Sequence, residues 1–208
     1  MDWSARTVGR WAGIASIAVV FVAVVVAVVL SPAFAPETNA LSDLGDRSHS
    51  ASTGLTVIVF NGGLCVGGVL GLLFAGVLAT SVPRALSRIG AALFGVATML
   101  LAAIGVFPQG HPFHFPVASG FYTLFSVAVL AFGSGQLRGR HLRSALVSIG
   151  AGLGNLAVWT AWGLQTDVRR SGLAIPEIAG ALFVALWMLV HISWLASGES
   201  RSTPITID

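Results

Sequence analysis

Six separate runs of about 18 or more apolar residues divide this chain, and they constrain its fold more than any other feature. They run from Trp11 to Leu30, Leu55 to Leu78, Ile89 to Phe107, Phe115 to Phe132, Ala145 to Leu164 and Ile178 to Ala196. Each is long enough to cross ~30 Å of hydrocarbon at about 1.5 Å per residue. Nothing in the runs alternates with the period of a strand, so a barrel is not indicated. Lipid offers the backbone no hydrogen bonds, and each run must therefore satisfy its own as a helix. The expected fold is all-α: a polytopic membrane protein, one six-transmembrane-helix bundle over residues 1–196 with a flexible cytoplasmic tail over 197–208. Composition agrees. Hydrophobic residues make up 55% of the chain and charged ones 9%, against about 25% charged in an average soluble domain.

The first run imitates a secretory leader, with Arg6 and Arg10 ahead of it and Ala33-Phe34-Ala35 behind. Its apolar core exceeds the usual leader length of roughly 7–15 residues, and Pro36 would follow the cut directly. We read it as a retained first span. With an even number of spans both termini share one side. Eight arginines fall on that side (Arg6, Arg10, Arg84, Arg88, Arg138, Arg140, Arg143 and Arg201) and three on the other (Arg47, Arg169 and Arg170). The excess places both termini in the cytoplasm and the chain in the cell membrane as a multi-pass protein.

All eleven basic residues are arginine, and the absence of lysine suggests a GC-rich prokaryotic genome. The net charge of +3 is too small and too scattered for a nucleic-acid footprint. One cysteine, Cys65, excludes an internal disulfide, a redox pair and a cysteine zinc site.

Small residues recur every four positions in the second span (Gly62, Gly63, Gly67, Gly68, Gly71) and again at Gly150 and Gly154. This spacing lets helices approach closely where lipid removes the hydrophobic driving force. The same faces leave a homo-oligomer open. Trp11, Trp159, Trp162, Trp187 and Trp194 are placed as interfacial anchors. Asn155 is expected to hydrogen-bond a neighbouring helix, and His191 to be packed or snorkelling.

Polar residues gather on the outer side. The connection from Ser31 to Ser52 is long for a compact bundle, which marks it as functional or partly structured. Within it Asn39 can cap a short helix, Leu41 and Leu44 can press on the membrane face, and Gly45 can supply a left-handed stop. Ser42 and Asp43 would then be held on a short interfacial helix. The third-to-fourth connection carries Pro108, Pro112 and Pro116, which stiffen it and fix His111 and His114 at the outer interface. Asn61 and Asp167 lie on the same side. The candidate site is therefore an outer-face polar cluster of Asn39, Ser42, Asp43, Asn61, His111 and His114. We expect Asp43 to sit near His111 and His114, because a histidine within about 4–6 Å offsets the cost of a carboxylate at a dry interface.

The stretch Asn39-Ala40-Leu41-Ser42-Asp43-Leu44-Gly45, the run Phe60-Asn61-Gly62-Gly63-Leu64 and the turn Gly105-Val106-Phe107-Pro108 with a histidine shortly after resemble the membrane family called "domain of unknown function 998". The order of these motifs and the six-helix layout cover nearly the whole chain. The resemblance implies the fold and a prokaryotic membrane setting, and no activity. Asp43 stands where many relatives have Glu, which keeps the charge and shortens its reach.

Several functions fit this pattern. The first is a multi-pass membrane protein whose outer polar pocket binds a small molecule or lipid, with membrane lipid as its partner. An intramembrane lipid hydrolase is the alternative. A metal-dependent version would need His111, His114 and Asp43 as ligands, with His49 in reserve, since zinc catalysis takes three protein ligands. No HExxH or GxSxG signature supports it. A haem carrier needs two histidines at matching depth, and His191, His141, His111 and His114 offer no such pair. A small carrier would need ionisable groups near the midplane, where only Asn61, Asn155 and His191 are polar. No cofactor and no metal are expected.

Overall fold

The computed structural model describes residues 3–165 and 172–197. Six helices follow one another: α1 (Trp3–Val29), α2 (Gly54–Ser81), α3 (Ala85–Val106), α4 (His114–Arg138), α5 (Leu142–Gly163) and α6 (Ala174–Ser197). A short 3₁₀ helix, Leu41–Gly45, lies between α1 and α2. Among the described residues there is no strand. All six helices are long and apolar enough to cross a membrane. Residues 82–84 and 139–141 connect α2 to α3 and α4 to α5 so briefly that these neighbours must run antiparallel. Each helix packs on the next, and α6 returns to α1. We call the face bearing residues 30–53 and 107–113 the long-loop face, and the opposite one the short-loop face. The tail expected after Ser197, together with Asp167, Arg169 and Arg170, lies outside the described residues.

The helices overrun the apolar runs chiefly at the short-loop face. There α1 begins at Trp3, α3 at Ala85 and α5 at Leu142, while α4 continues to Arg138. Once backbone hydrogen bonding is under way, a helix continues past the hydrocarbon until a turn signal stops it. Arg6, Arg10, Arg88, Arg138 and Arg143 ride on these extra turns, while Arg84 and Arg140 stand in the short connections.

Glycine sets the spacing at the seams. Gly63 and Gly67 face Ala23 and Val20 of α1, and Gly68 faces the Thr98 carbonyl and Ala102 of α3. Gly90 and Gly135 do the same between α3 and α4, against the Ala128 carbonyl and the Ser87 backbone. Gly62 and Gly150 have open space where a Cβ would lie, so only part of the small-residue pattern serves packing. Polar ties accompany the glycines. Ser16 donates to the Gly67 carbonyl (2.7 Å), Ser87 to the Phe132 carbonyl (3.2 Å) and Trp187 Nε1 to Ser148 Oγ (2.9 Å). Asn155 Nδ2 donates to the Tyr122 carbonyl (3.0 Å) and to Ser126 Oγ (2.8 Å), as the helix-to-helix bond expected of it. Such bonds contribute on average about 0.6 kcal/mol each in a bundle.

The interior has two unequal halves. One is a plug of Phe74, Phe94, Phe125, Phe132 and Trp187, with ring edges set against faces: Phe132 and Trp187 lie 5.5 Å apart at 88°. Trp187 is fully buried here and is not an interfacial anchor. Trp11, 66% exposed on α1, fits that role better. His191 is buried beside the plug. Its Nδ1 donates to the Trp187 carbonyl (2.7 Å), leaving Nε2 to accept from Ser144 Oγ (2.8 Å), so it packs and does not snorkel. The other half, toward the long-loop face, is built from Leu41, Leu44, Phe60, Leu64, Ile104 and Phe121, and it is less completely filled.

A Cβ at Gly68 would stand 2.5 Å from the Thr98 carbonyl oxygen and 2.6 Å from the Ala102 nitrogen, both main-chain atoms that cannot swing aside. Gly68→Ala is therefore expected to destabilise the bundle by about 2 kcal/mol. Gly62→Ala, which meets nothing within 4 Å, should be neutral or slightly stabilising, since alanine is the better helix former. Thermal melting of the two variants in one detergent checks the contrast.

Candidate functional site

The loop after α1 is ordered by its own side chains before it reaches the bundle. Asn39 turns back, its Oδ1 accepting the Ala35 N–H at 2.9 Å. It does not cap the 3₁₀ helix. That task falls to Asp43, whose Oδ2 accepts the Ala40 N–H at 2.9 Å and the Asn39 amide at 3.3 Å. The first N–H groups of a helix have no internal partner. Here the second of them, on Leu41, is taken by Glu177 Oε2 of α6 at 2.5 Å. The Asn39 carbonyl in turn accepts the Ala174 N–H at 2.9 Å, so loop and α6 start hold each other.

The residues that follow are all buried. Leu41 and Leu44 turn into the bundle against Phe60 and Leu64, and not onto the membrane face. Gly45 is not left-handed, since the positive-φ glycines are Gly110 and Gly172. It is needed because Asn61 crowds it. A Cβ there would strike Asn61 Oδ1, and Asn61 Nδ2 donates to the Gly45 carbonyl at 3.0 Å.

The histidine that meets Asp43 is His49, from the same loop, with Nε2 3.5 Å from Asp43 Oδ2. Ala51 N–H donates to its Nδ1 at 3.1 Å, which leaves the proton on Nε2, facing the carboxylate. This corrects the expectation of a pair with His111 or His114. A loop neighbour six residues away reaches Asp43 at a smaller ordering cost than a separate loop would. His111 is exposed and lies against Phe107 (4.9 Å between centroids) and Phe113 (5.6 Å). His114 is buried at the start of α4, with Nδ1 donating to the Phe107 carbonyl at 2.9 Å. A carbonyl can only accept, so Nε2 is left as the free nitrogen.

The two connections of the long-loop face do meet, by other residues. Ser42 Oγ donates to Gln109 Oε1 at 3.4 Å. Gly110, at φ 89°, turns the second connection beneath Asp46. Slight burial pulls the Asp46 carboxyl upward. The Ser48 hydroxyl and N–H bonds (2.7 and 2.8 Å), with His49 and His114 nearby, more than offset this and hold it below its ordinary value of 3.8.

Two spaces open below this roof. A central cavity of about 90 Å³ runs among α1, α2, α3, α4 and α6. A larger groove of about 490 Å³ lies among α4, α5 and the start of α6, with exposed Phe115 and Leu156 on its wall. Ser42, His114, Ala118, Tyr122 and Glu177 line both. Of the six candidate residues, the structure thus puts Ser42 and His114 at one wall. Asn39, Asp43 and Asn61 hold the 3₁₀ helix instead, and His111 stands apart on the surface. Among the described residues no group of three histidine, cysteine, aspartate or glutamate side chains could hold a metal ion.

Glu177, Gln109 and Tyr122 are not among the residues that the sequence alone marks for the site, and Trp159 reads there as an interfacial anchor. The signal for Glu177 was present: Pro176-Glu177 is a proline and an acid at a helix start. Taking the span from Ile178 left it in the loop.

This arrangement, the six spans and the capped Leu41–Gly45 turn, coincides with a family profile described as "Protein of unknown function (DUF998)", which matches residues 14–194. The chain belongs to that family. The DUF998 match reaches into all six helices and covers both long connections, so the wall formed by Ser42, His114 and Glu177 lies inside the family region. No curated protein and no solved structure matches the chain.

Two outcomes follow. Asp43→Ala removes the acceptor of the Ala40 N–H and should cost about 1–2 kcal/mol, with Asp43→Asn intermediate; thermal melting checks it. Asp46 binds its proton more weakly folded than unfolded. Its contribution is full above 3.8 and fades as pH falls through the lowered value. Asp46→Asn should therefore flatten the loss of stability as pH falls below about 4, measured by melting across that range.

Proposed function

We propose that this multi-pass protein holds an amphiphile in the groove among α4, α5 and α6, with its mouth on the outside of the cell membrane. The observation that carries this reading is the shared wall: Ser42, His114, Tyr122 and Glu177 stand where the groove meets the central cavity. Around them the groove is bounded by Ala118, Leu156, Trp159 and Trp162, an apolar and aromatic surface. Polar groups beside an apolar surface suit a molecule with a head and a tail. The arginine excess at the short-loop face, seven against one among the described residues, supports the outward mouth.

Lipid hydrolysis has less support. The hydrogen bond given for the Ser42 hydroxyl goes to the Gln109 amide, and the Glu177 carboxyl beside it is already engaged by the Leu41 N–H. A carrier would need an ionisable residue along a continuous path, and the plug around Trp187 fills the other half of the bundle.

Thr123 is exposed on the groove wall, so a large side chain there fills the groove without crowding the core. Thr123→Trp is expected to lower lipid retained through purification by about tenfold, with melting unchanged. Native mass spectrometry of the extracted protein reads it. Retention equal to wild type would overturn the proposal.

A further inference from the structure

The short-loop face carries charge that the fold leaves unbalanced. Seven of the eight described arginines stand there, while the described carboxylates, Glu37, Asp43, Asp46 and Glu177, all lie toward the long-loop face. Two of the seven line one hollow. Between the turn into α3 and the end of α4 lies an open pocket of about 590 Å³. Pro83, Arg84, Ala85 and Leu86 form one wall, and Gly135 and Arg138 form the other.

Packing brings the two arginines together. Gly135 lets α4 lie directly on the Ser87 backbone, where a Cβ would collide with it. Arg138 follows three residues later, on the same side of α4. Arg84 reaches across the seam from the other helix: its Nε would be 2.5 Å from a Cβ at Gly139. Neither guanidinium has an ion pair among the described residues. Arg84 immediately precedes α3 and makes no capping bond, and a helix start is already positive, so α3 offers its charge no compensation. Two cations in one hollow repel each other, and an anion shared between them reverses the sign of that interaction. The guanidinium fork matches the oxygens of a phosphate.

The surroundings decide which phosphate. From Ala85 the same face of α3 continues through Ile89 (53% exposed) and Ala92 to Val96 (47% exposed), a stripe at helical spacing that faces lipid. A phosphate at the arginines therefore opens onto apolar surface that acyl chains cover. We infer that this pocket holds the phosphodiester of an anionic phospholipid between Arg84 and Arg138, with a chain lying along α3. Basic pockets between membrane helices take acidic headgroups in this way. A choline or ethanolamine head would bring a further cation into a pocket that holds two and offers no carboxylate among the described residues.

The inference is independent of the groove at the other face. The full chain in detergent is incubated with equal amounts of dioleoyl phosphatidylglycerol and phosphatidylcholine, and bound lipid is read by native mass spectrometry. We expect the glycerol lipid to be retained about fivefold or more over the choline lipid. Arg84→Gln and Arg138→Gln should each lower its retention about fivefold, with melting unchanged because both side chains are exposed. Arg143→Gln removes the same charge from the same face outside the pocket, and should change retention by less than about twofold. Excess inorganic phosphate at fixed ionic strength should leave the lipid bound. Equal retention of the two lipids would overturn the inference. So would a loss in Arg143→Gln as large as in the other variants, which would mean diffuse attraction to the whole face. Displacement by inorganic phosphate would likewise overturn it, in favour of a soluble anion.

Discussion

One hydrogen bond spans most of the chain and fixes the rest of the long-loop face: the Leu41 N–H to the Glu177 carboxyl. A short helix buried at the mouth of a bundle would otherwise leave its first N–H groups without partners, which is costly out of water. Asp43 takes one locally and Glu177 takes the next from α6. The return bond from Ala174 to the Asn39 carbonyl makes the tie reciprocal. Because the 3₁₀ helix cannot rotate, Leu41 and Leu44 must face inward and Ser42 must face Gln109 and the groove. The site is thus a by-product of satisfying a backbone.

The same economy explains why the space lies where it does. Around Trp187 the helices close on glycine and on interlocking rings, and little room is left. Helix α5 packs more extensively on α4 than on α6. The gap is lined by Tyr122, Trp159 and Trp162 at one side and Glu177 at the other. Tyr122 bridges it, its hydroxyl donating to the Glu177 carbonyl at 3.2 Å. A bundle that is rigid in one half and hollow in the other suits a holder of one molecule better than a conduit.

The six spans were legible because a membrane leaves apolar runs a single solution. Their ends were not, because the arginine-bearing turns at Trp3–Arg10 and Gly133–Arg138 are too polar to count as hydrocarbon yet remain helical. The short helix at Leu41–Gly45 was also readable, and the details within it were not. A glycine kept for a left-handed turn and one kept for a close neighbour look identical in sequence, and Gly45 is the second kind. Leucines at i, i+3 spacing fix a common face without saying whether lipid or protein covers it. Asp43 carried no mark preferring His49 over His111 or His114. Glu177 was hidden by a boundary placed four residues late, and Trp187 by an assumption that tryptophan marks an interface.

Hydrogen–deuterium exchange at the amide of Leu41 tests the central claim most directly, that a carboxyl from α6 holds the 3₁₀ helix. We expect this amide to exchange slowly in the wild type, although it lies in a loop between spans. In Glu177→Leu it should exchange faster by about tenfold or more, while the α2 and α3 amides stay protected. Rapid exchange at Leu41 in the wild type, at the rate of an open loop, would contradict the account.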